Sequence, residues 1–148
     1  MFEYKKCSAI LVFNDKGELA LQRRAVDDDK FPYHWDFSAG GGINEGEDEK
    51  DSVEREMLEE IGAKADAEFL LRDNFTYPTW DKTKTRITDL YIFRTKYNGP
   101  FVLDPKEVAE IKFFTFQEIE TMINSKEKFH VEFLLAWEKG IIKKFWIK

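Results

Sequence analysis

Glu56, Glu59 and Glu60 stand at i, i+3 and i+4 in the stretch Asp48–Ile61, which contains neither glycine nor proline. Asp48 suits an N-cap and Gly62 suits the position just past a helix end, so the spacing predicts one helix. At about 100° per residue, Val53, Met57, Ile61 and Leu58 form one apolar stripe, and the three glutamates fall on the adjoining face. Like charges at this spacing repel by roughly 0.2–0.5 kcal/mol when exposed. The repulsion grows beside a buried stripe, where solvent screens less. Two readings follow for the helix alone. It is a solvated acidic face, or it is a cluster of hard oxygen donors of the kind Mg²⁺ or Mn²⁺ requires.

The residues ahead of this helix bear on that choice. Gly41, Glu47, Arg55, Glu56, Glu59, Glu60 and Gly62 stand in one ordered pattern within GGINEGEDEKDSVEREMLEEIGA. The segment satisfies G-x5-E-x7-R-E-U-x-E-E-x-G-U, where U is a bulky apolar residue. Met57 fills the first U, and Ala63 fills the last only weakly. This pattern resembles the Nudix box, and the order of flanking strands extends the resemblance over residues 5–138.

The resemblance implies an α/β (α+β) fold, a Nudix-type α/β/α sandwich with a mixed central sheet. It implies a hydrolase that cleaves the diphosphate linkage of a nucleoside di- or triphosphate or a related derivative, with Mg²⁺ or Mn²⁺ as cofactor. By the same resemblance Glu56, Glu59 and Glu60 would hold the metal. Glu56 would form the catalytic set with Arg55 and Glu47: Arg55 holds a glutamate through a charge-assisted hydrogen bond, and Glu47 adds a ligand or helps place water. Gly41 and Gly46 would allow backbone turns that side chains obstruct. Such chemistry neutralises the diphosphate, acidifies a water and needs a glutamate to take its proton. Glu107 and Glu110, in DPKEVAEIKFF, are candidates for that base; as surface carboxylates beside a strand they have a plainer reading.

The stretch LQRRAVDDDKFPYHWDFSAGGG resembles the branch of the family related to isopentenyl-diphosphate isomerase, through Gln22, Arg23, Arg24, Lys30, Pro32 and Trp35. By analogy Arg24 and Lys30 would grip terminal phosphates, unless they are solvated loop cations. Trp35 and Phe37 would stack a base, unless they are core. Gly41 belongs to the same substrate-binding set. The isomerases of that branch carry a cysteine shortly after the tryptophan and lack an intact REUxEE; here glycines replace the one and the other is complete. The expectation is therefore hydrolysis. Hydrolysis of an isoprenoid diphosphate and a catalytically silent nucleotide-binding module remain the alternatives.

The elements that must position these residues are legible in outline. Residues 5–13 and Glu18–Arg23 read as a hairpin around the turn Asn14–Gly17. Ala25–Trp35 reads as a loop, and so does Asp36–Gly46, with its four glycines, after a short extended piece. Ala67–Tyr77, Thr85–Tyr97 and Glu110–Thr115 read as strands. Phe116–Asn124 and Lys128–Lys139 read as helices. The terminal IIKKFWIK has no assigned role.

Composition sets the outer limits. The 148 residues suit one domain, 1–148. Cys7 is the only cysteine and sits in an apolar run, so it reads as core; a disulfide within the chain and a cysteine-rich metal site are both excluded. The N-terminal apolar stretch is too short for a signal sequence and no segment approaches a membrane span, which points to a cytoplasmic protein. A net charge of −6 argues against general nucleic-acid binding. The expected partner is a small-molecule diphosphate, bridged to the acidic protein by a divalent cation; a homodimer is left open.

Overall fold

The computed structural model describes residues 1–28 and 30–147; Asp29, within the expected loop, and Lys148, the end of the tail, lie outside the described residues. β1 (Phe2–Phe13) is the spine. From Cys7 to Phe13 it is buried on both faces, as a run apolar except for Ser8 requires. It pairs in parallel with β6 (Thr85–Lys96) along its whole length, and β6 pairs antiparallel with β5 (Glu68–Pro78). On the other side β1 meets β2 (Leu19–Arg24) only at the hairpin mouth, Val12 opposite Ala20 and Phe13 opposite Leu19. The two strands then part. β2 takes β3 (Trp35–Asp36) and β7 (Val108–Phe114) as neighbours, and the gap beside β1 is filled by β4 (Ala39–Gly42).

One parallel pair among antiparallel ones makes this a mixed sheet, and helices cover both faces. Val53, Met57 and Ile61 of α1 (Glu49–Ile61) pack with Ile10 and Val12 on one side. On the other side Leu11 and Phe13 meet Ile119 of α2 (Phe116–Asn124), Phe133 of α3 (Val131–Glu138) and Ile142 of α4 (Ile141–Lys144). The result is an α/β/α arrangement. No helix among the described residues is long and apolar enough to cross a membrane.

Two sequence expectations need correction, and the tail gains a role. The glycine run is not all loop: Ala39–Gly42 is strand β4, antiparallel to Cys7–Ile10. Glycine conceals the alternating pattern that marks a strand, and here it is required by closeness, because a Cβ on Gly40 would collide with the Ser8 carbonyl oxygen. The helix expected over Lys128–Lys139 begins at Val131, since Lys128 and Phe129 run beside Trp35 and His130 caps the helix by accepting from the Glu132 N–H. The tail is structural: α4 buries Ile141 and Ile142, and the Trp146 indole donates to the Gly17 carbonyl at 2.8 Å.

Candidate functional site

α1 starts where the sequence marks it. Asp48 accepts from the Lys50 and Asp51 N–H groups, and Gly62 closes the helix at φ 67° with its N–H on the Leu58 carbonyl. Arg55 is the hub of the exposed side. Its Nε and Nη2 grip Glu47 as a fork at 2.8 and 3.0 Å, while Nη1 reaches Glu56 at 3.1 Å and Glu59 at 3.3 Å. The fork, joined by the Asn44 N–H, holds the Glu47 carboxyl down to about 2. Glu47 therefore folds back onto the helix face eight residues ahead of it.

Glu60 points inward. It is 7% exposed, accepts from Gln22 Nε2 at 2.8 Å and from the Gly40 N–H at 3.3 Å, and lies beside the Glu56 carboxyl. Burial first, then Glu56, push its carboxyl well above the ordinary range. β4 crosses directly over these groups: a Cβ on Gly41 would lie 2.7 Å from Glu56 Oε1. Gly41 is thus needed for a close approach of backbone to carboxylate and not for a turn, the role expected of it; Gly46, at φ 78°, does turn the chain.

The donor chemistry of this cluster fits a hard divalent cation. Two carboxyls in contact, one of them buried, are compatible only if a proton or a cation lies between them. Among the described residues, no three metal-ligating side chains already converge as a cage. Arg55 lies between Glu47, Glu56 and Glu59, and Glu60 is turned toward Gln22, so a cation would have to draw these carboxylates off their present partners.

A cleft of about 480 Å³ opens from this cluster, with Glu60, Gly40 and Gly41 in its wall. Of the other sequence candidates it gathers Arg24, Lys30, Phe37 and Glu107. Arg24 is already engaged by Asp28 at 3.1 Å, Asp36 at 3.3 Å and the Lys30 carbonyl. Glu110 is not on the wall; it pairs with Arg23 at 3.6 Å. Trp35, expected as a substrate contact, is a correction: it is 4% exposed, sets its ring edge-on to Phe114 at 5.2 Å, and lies in the core away from the cleft. The reason is its register, since β3 beside β2 turns it into the layer under α3. The sequence assigns no role to Gln22 and does not single out Phe31, Arg86, His130 or Glu132, all of which stand on the wall. A cleft assembled from segments spread between Glu3 and Glu132 leaves no local spacing signal.

The NUDIX domain family matches residues 4–136. The chain belongs to the Nudix family. It is 34% identical over 120 residues to an uncharacterized Nudix hydrolase of Listeria monocytogenes, a match covering 80% of this chain and 68% of that protein. It is also 34% identical over 104 residues to one of Pseudomonas aeruginosa, covering 70% of this chain and 59% of the relative. Among solved structures it superposes on a MutT protein from Methanosarcina mazei with a TM-score of 0.76 at 24% identity, covering 96% of both chains. A C. elegans Ap4A hydrolase gives 0.64 at 17% identity, covering 95% and 99%. These structural likenesses establish the fold. Family and relatives together make this Nudix protein a hydrolase acting on acid anhydrides.

Proposed function

We propose that this Nudix protein hydrolyses a phosphoanhydride bond of a nucleoside di- or triphosphate, or of a related nucleoside diphosphate derivative, with Mg²⁺ or Mn²⁺. The observation that carries this reading is one cleft with the Glu60–Gly41 cluster at one end and the aromatic side chains Phe31, Tyr77 and Trp80 at the other. A charged tail and a flat head group match those two ends. An isoprenoid tail would ask for an apolar groove, whereas this wall is dominated by charged and polar residues.

Glu56, Glu59 and Glu60 would hold the metal. When bound, the cation supplies charge neutralisation of the diphosphate and activation of the attacking water. The chain's own groups do the rest. Gln22 and the Gly40 N–H orient Glu60. Arg55 keeps Glu47 against the helix and steadies the carboxylates beside it. Lys30 and Arg24 stand on the wall where terminal phosphate oxygens need cationic donors. Glu107, exposed on the same wall, would accept the proton of the attacking water.

A phosphate-release screen over nucleoside di- and triphosphates, nucleotide sugars, dinucleotides and isoprenoid diphosphates, with Mg²⁺ and with Mn²⁺, tests the reading. Glu56→Gln should lower turnover on any accepted substrate by about a hundredfold or more while leaving the fold intact. Turnover by Glu56→Gln at the native rate ends the catalytic assignment. A native protein that binds nucleotides and cleaves none with either metal favours the silent binding module.

A further inference from the structure

The far end of the cleft has a chemistry of its own. Its floor is a row across three strands, in which Arg86 of β6 is flanked by Glu3 of β1 and Tyr77 of β5. Its roof comes from the start of α3, where His130 and Glu132 face the cleft, and from Phe31 and Trp80. Phe31 packs on His130 at 4.4 Å and on Trp80 at 5.0 Å, which makes an aromatic wall; Trp80 is 44% exposed at its edge.

The polar groups here are unevenly matched. The Tyr77 hydroxyl donates to Glu132 Oε2 at 2.5 Å. Burial, and then the charge of Glu132, push the Tyr77 phenol well above its ordinary range, so it remains a hydroxyl donor. Arg86 is committed to Glu3 through Nη1 at 3.2 Å. Among the described residues Glu132 forms no ion pair within 4.0 Å, so Tyr77 is the side chain that fixes its carboxylate. An ionised carboxylate only accepts, and each oxygen has room for a second bond. In a half-buried pocket those acceptors call for hydrogen-bond donors on the ligand, and on a flat base the donors are N–H groups.

We propose that Glu132, fixed by Tyr77, reads the head group of the substrate, and that this end of the cleft takes a guanine base. The inference rests on the nucleotide reading above and deepens it. A carboxylate with acceptor capacity left on both oxygens beyond the Tyr77 bond is matched by two adjacent N–H donors, and guanine offers them at N1 and N2. Adenine and cytosine set a ring acceptor beside their single amino donor, which would face the carboxylate with repulsion. Uracil and thymine flank one N–H with two carbonyls. The flat base is received by Phe31 and Trp80, where stacking tolerates any base and so leaves the choice to Glu132.

The test separates head-group recognition from hydrolysis. Guanosine, inosine and adenosine, which carry no phosphate, are titrated by calorimetry and by tryptophan fluorescence against the native protein, Glu132→Gln and Tyr77→Phe. Inosine differs from guanosine by the 2-amino group alone. Guanosine should bind about tenfold more tightly than inosine to the native protein. That ratio should collapse toward one in Glu132→Gln and shrink in Tyr77→Phe. The native ratio decides even if a variant does not fold. Equal binding of guanosine and inosine, tighter binding of adenosine, an unchanged ratio in folded Glu132→Gln, or no nucleoside binding into the millimolar range each overturns the assignment. Hydrolysis of guanosine and inosine diphosphates with equal kcat/KM would sink it while leaving the hydrolase reading intact; selective nucleoside binding without hydrolysis of any nucleotide would do the reverse.

Discussion

Glu60 is the residue at which stability and chemistry pull apart. A carboxyl this deeply buried, touching a second carboxyl, disfavours ionisation, and the folded chain must neutralise it or leave it strained. Glutamine in its place keeps the arrangement without the charge: its carbonyl oxygen still accepts from Gln22 and the Gly40 N–H, and its amide can donate to Glu56. Glu60→Gln should therefore hold the stability of the metal-free protein or raise it by an amount on the order of 1 kcal/mol, read as an equal or higher melting temperature. Turnover with Mg²⁺ should nevertheless fall by about a hundredfold. Thermal unfolding in chelator, set beside the rate, checks both halves. A variant that loses stability by several kcal/mol would show that Glu60 is a structural group held by Gln22 and not a site kept costly for chemistry.

At the scale of elements, legibility follows from whether the signal is local. α1 was readable to its caps because Asp48, the apolar stripe and Gly62 all lie within one segment. β4 was not, since glycines carry no pattern and their purpose, clearance over Ser8 and Glu56, exists only once strand and helix have met. Ordered spacing singles out Gly41, Glu47, Arg55 and the three glutamates; Gln22, Glu132 and Arg86 reach the cleft from β2, α3 and β6, and no spacing joins them. The tail shows the same limit. IIKKFWIK is too short to display helical periodicity, yet Ile142 is fully buried against the sheet face that carries Leu11 and Phe13, and Trp146 sets its edge on Phe13 at 5.1 Å. Ile142→Ala should cost about 2–4 kcal/mol, the usual range for emptying a buried aliphatic site. Urea unfolding would report it as a lower midpoint with an unchanged slope. A cost near zero would mean that the tail is not docked in solution as it is in the structure.

The whole molecule poses an electrostatic problem that its proposed ligand must share. The chain carries a net charge of −6, and the cleft wall adds Glu60, Glu107 and Asp28 near the end proposed for phosphates. Lys30 and Arg24 are the cations there, and Arg24 already serves two aspartates. A nucleoside diphosphate brought to such a surface gains little from the protein alone, because the field is of its own sign. A divalent cation between the glutamates and the diphosphate reverses that balance, so ligand and metal should bind with strong mutual dependence. Thermal melting with a non-hydrolysable nucleoside diphosphate analogue makes this measurable. At about 100 times its dissociation constant the analogue adds roughly 2.7 kcal/mol, a shift of several degrees for a chain of this size. That shift should appear with Mg²⁺ or Mn²⁺ and nearly vanish in chelator, and Glu59→Gln with Glu60→Gln should behave as though chelator were present. An equal shift with and without the metal would mean that Lys30, Arg24 and the far end of the cleft hold the ligand by themselves, and the glutamate helix would then be an acidic surface whose charge serves no cation.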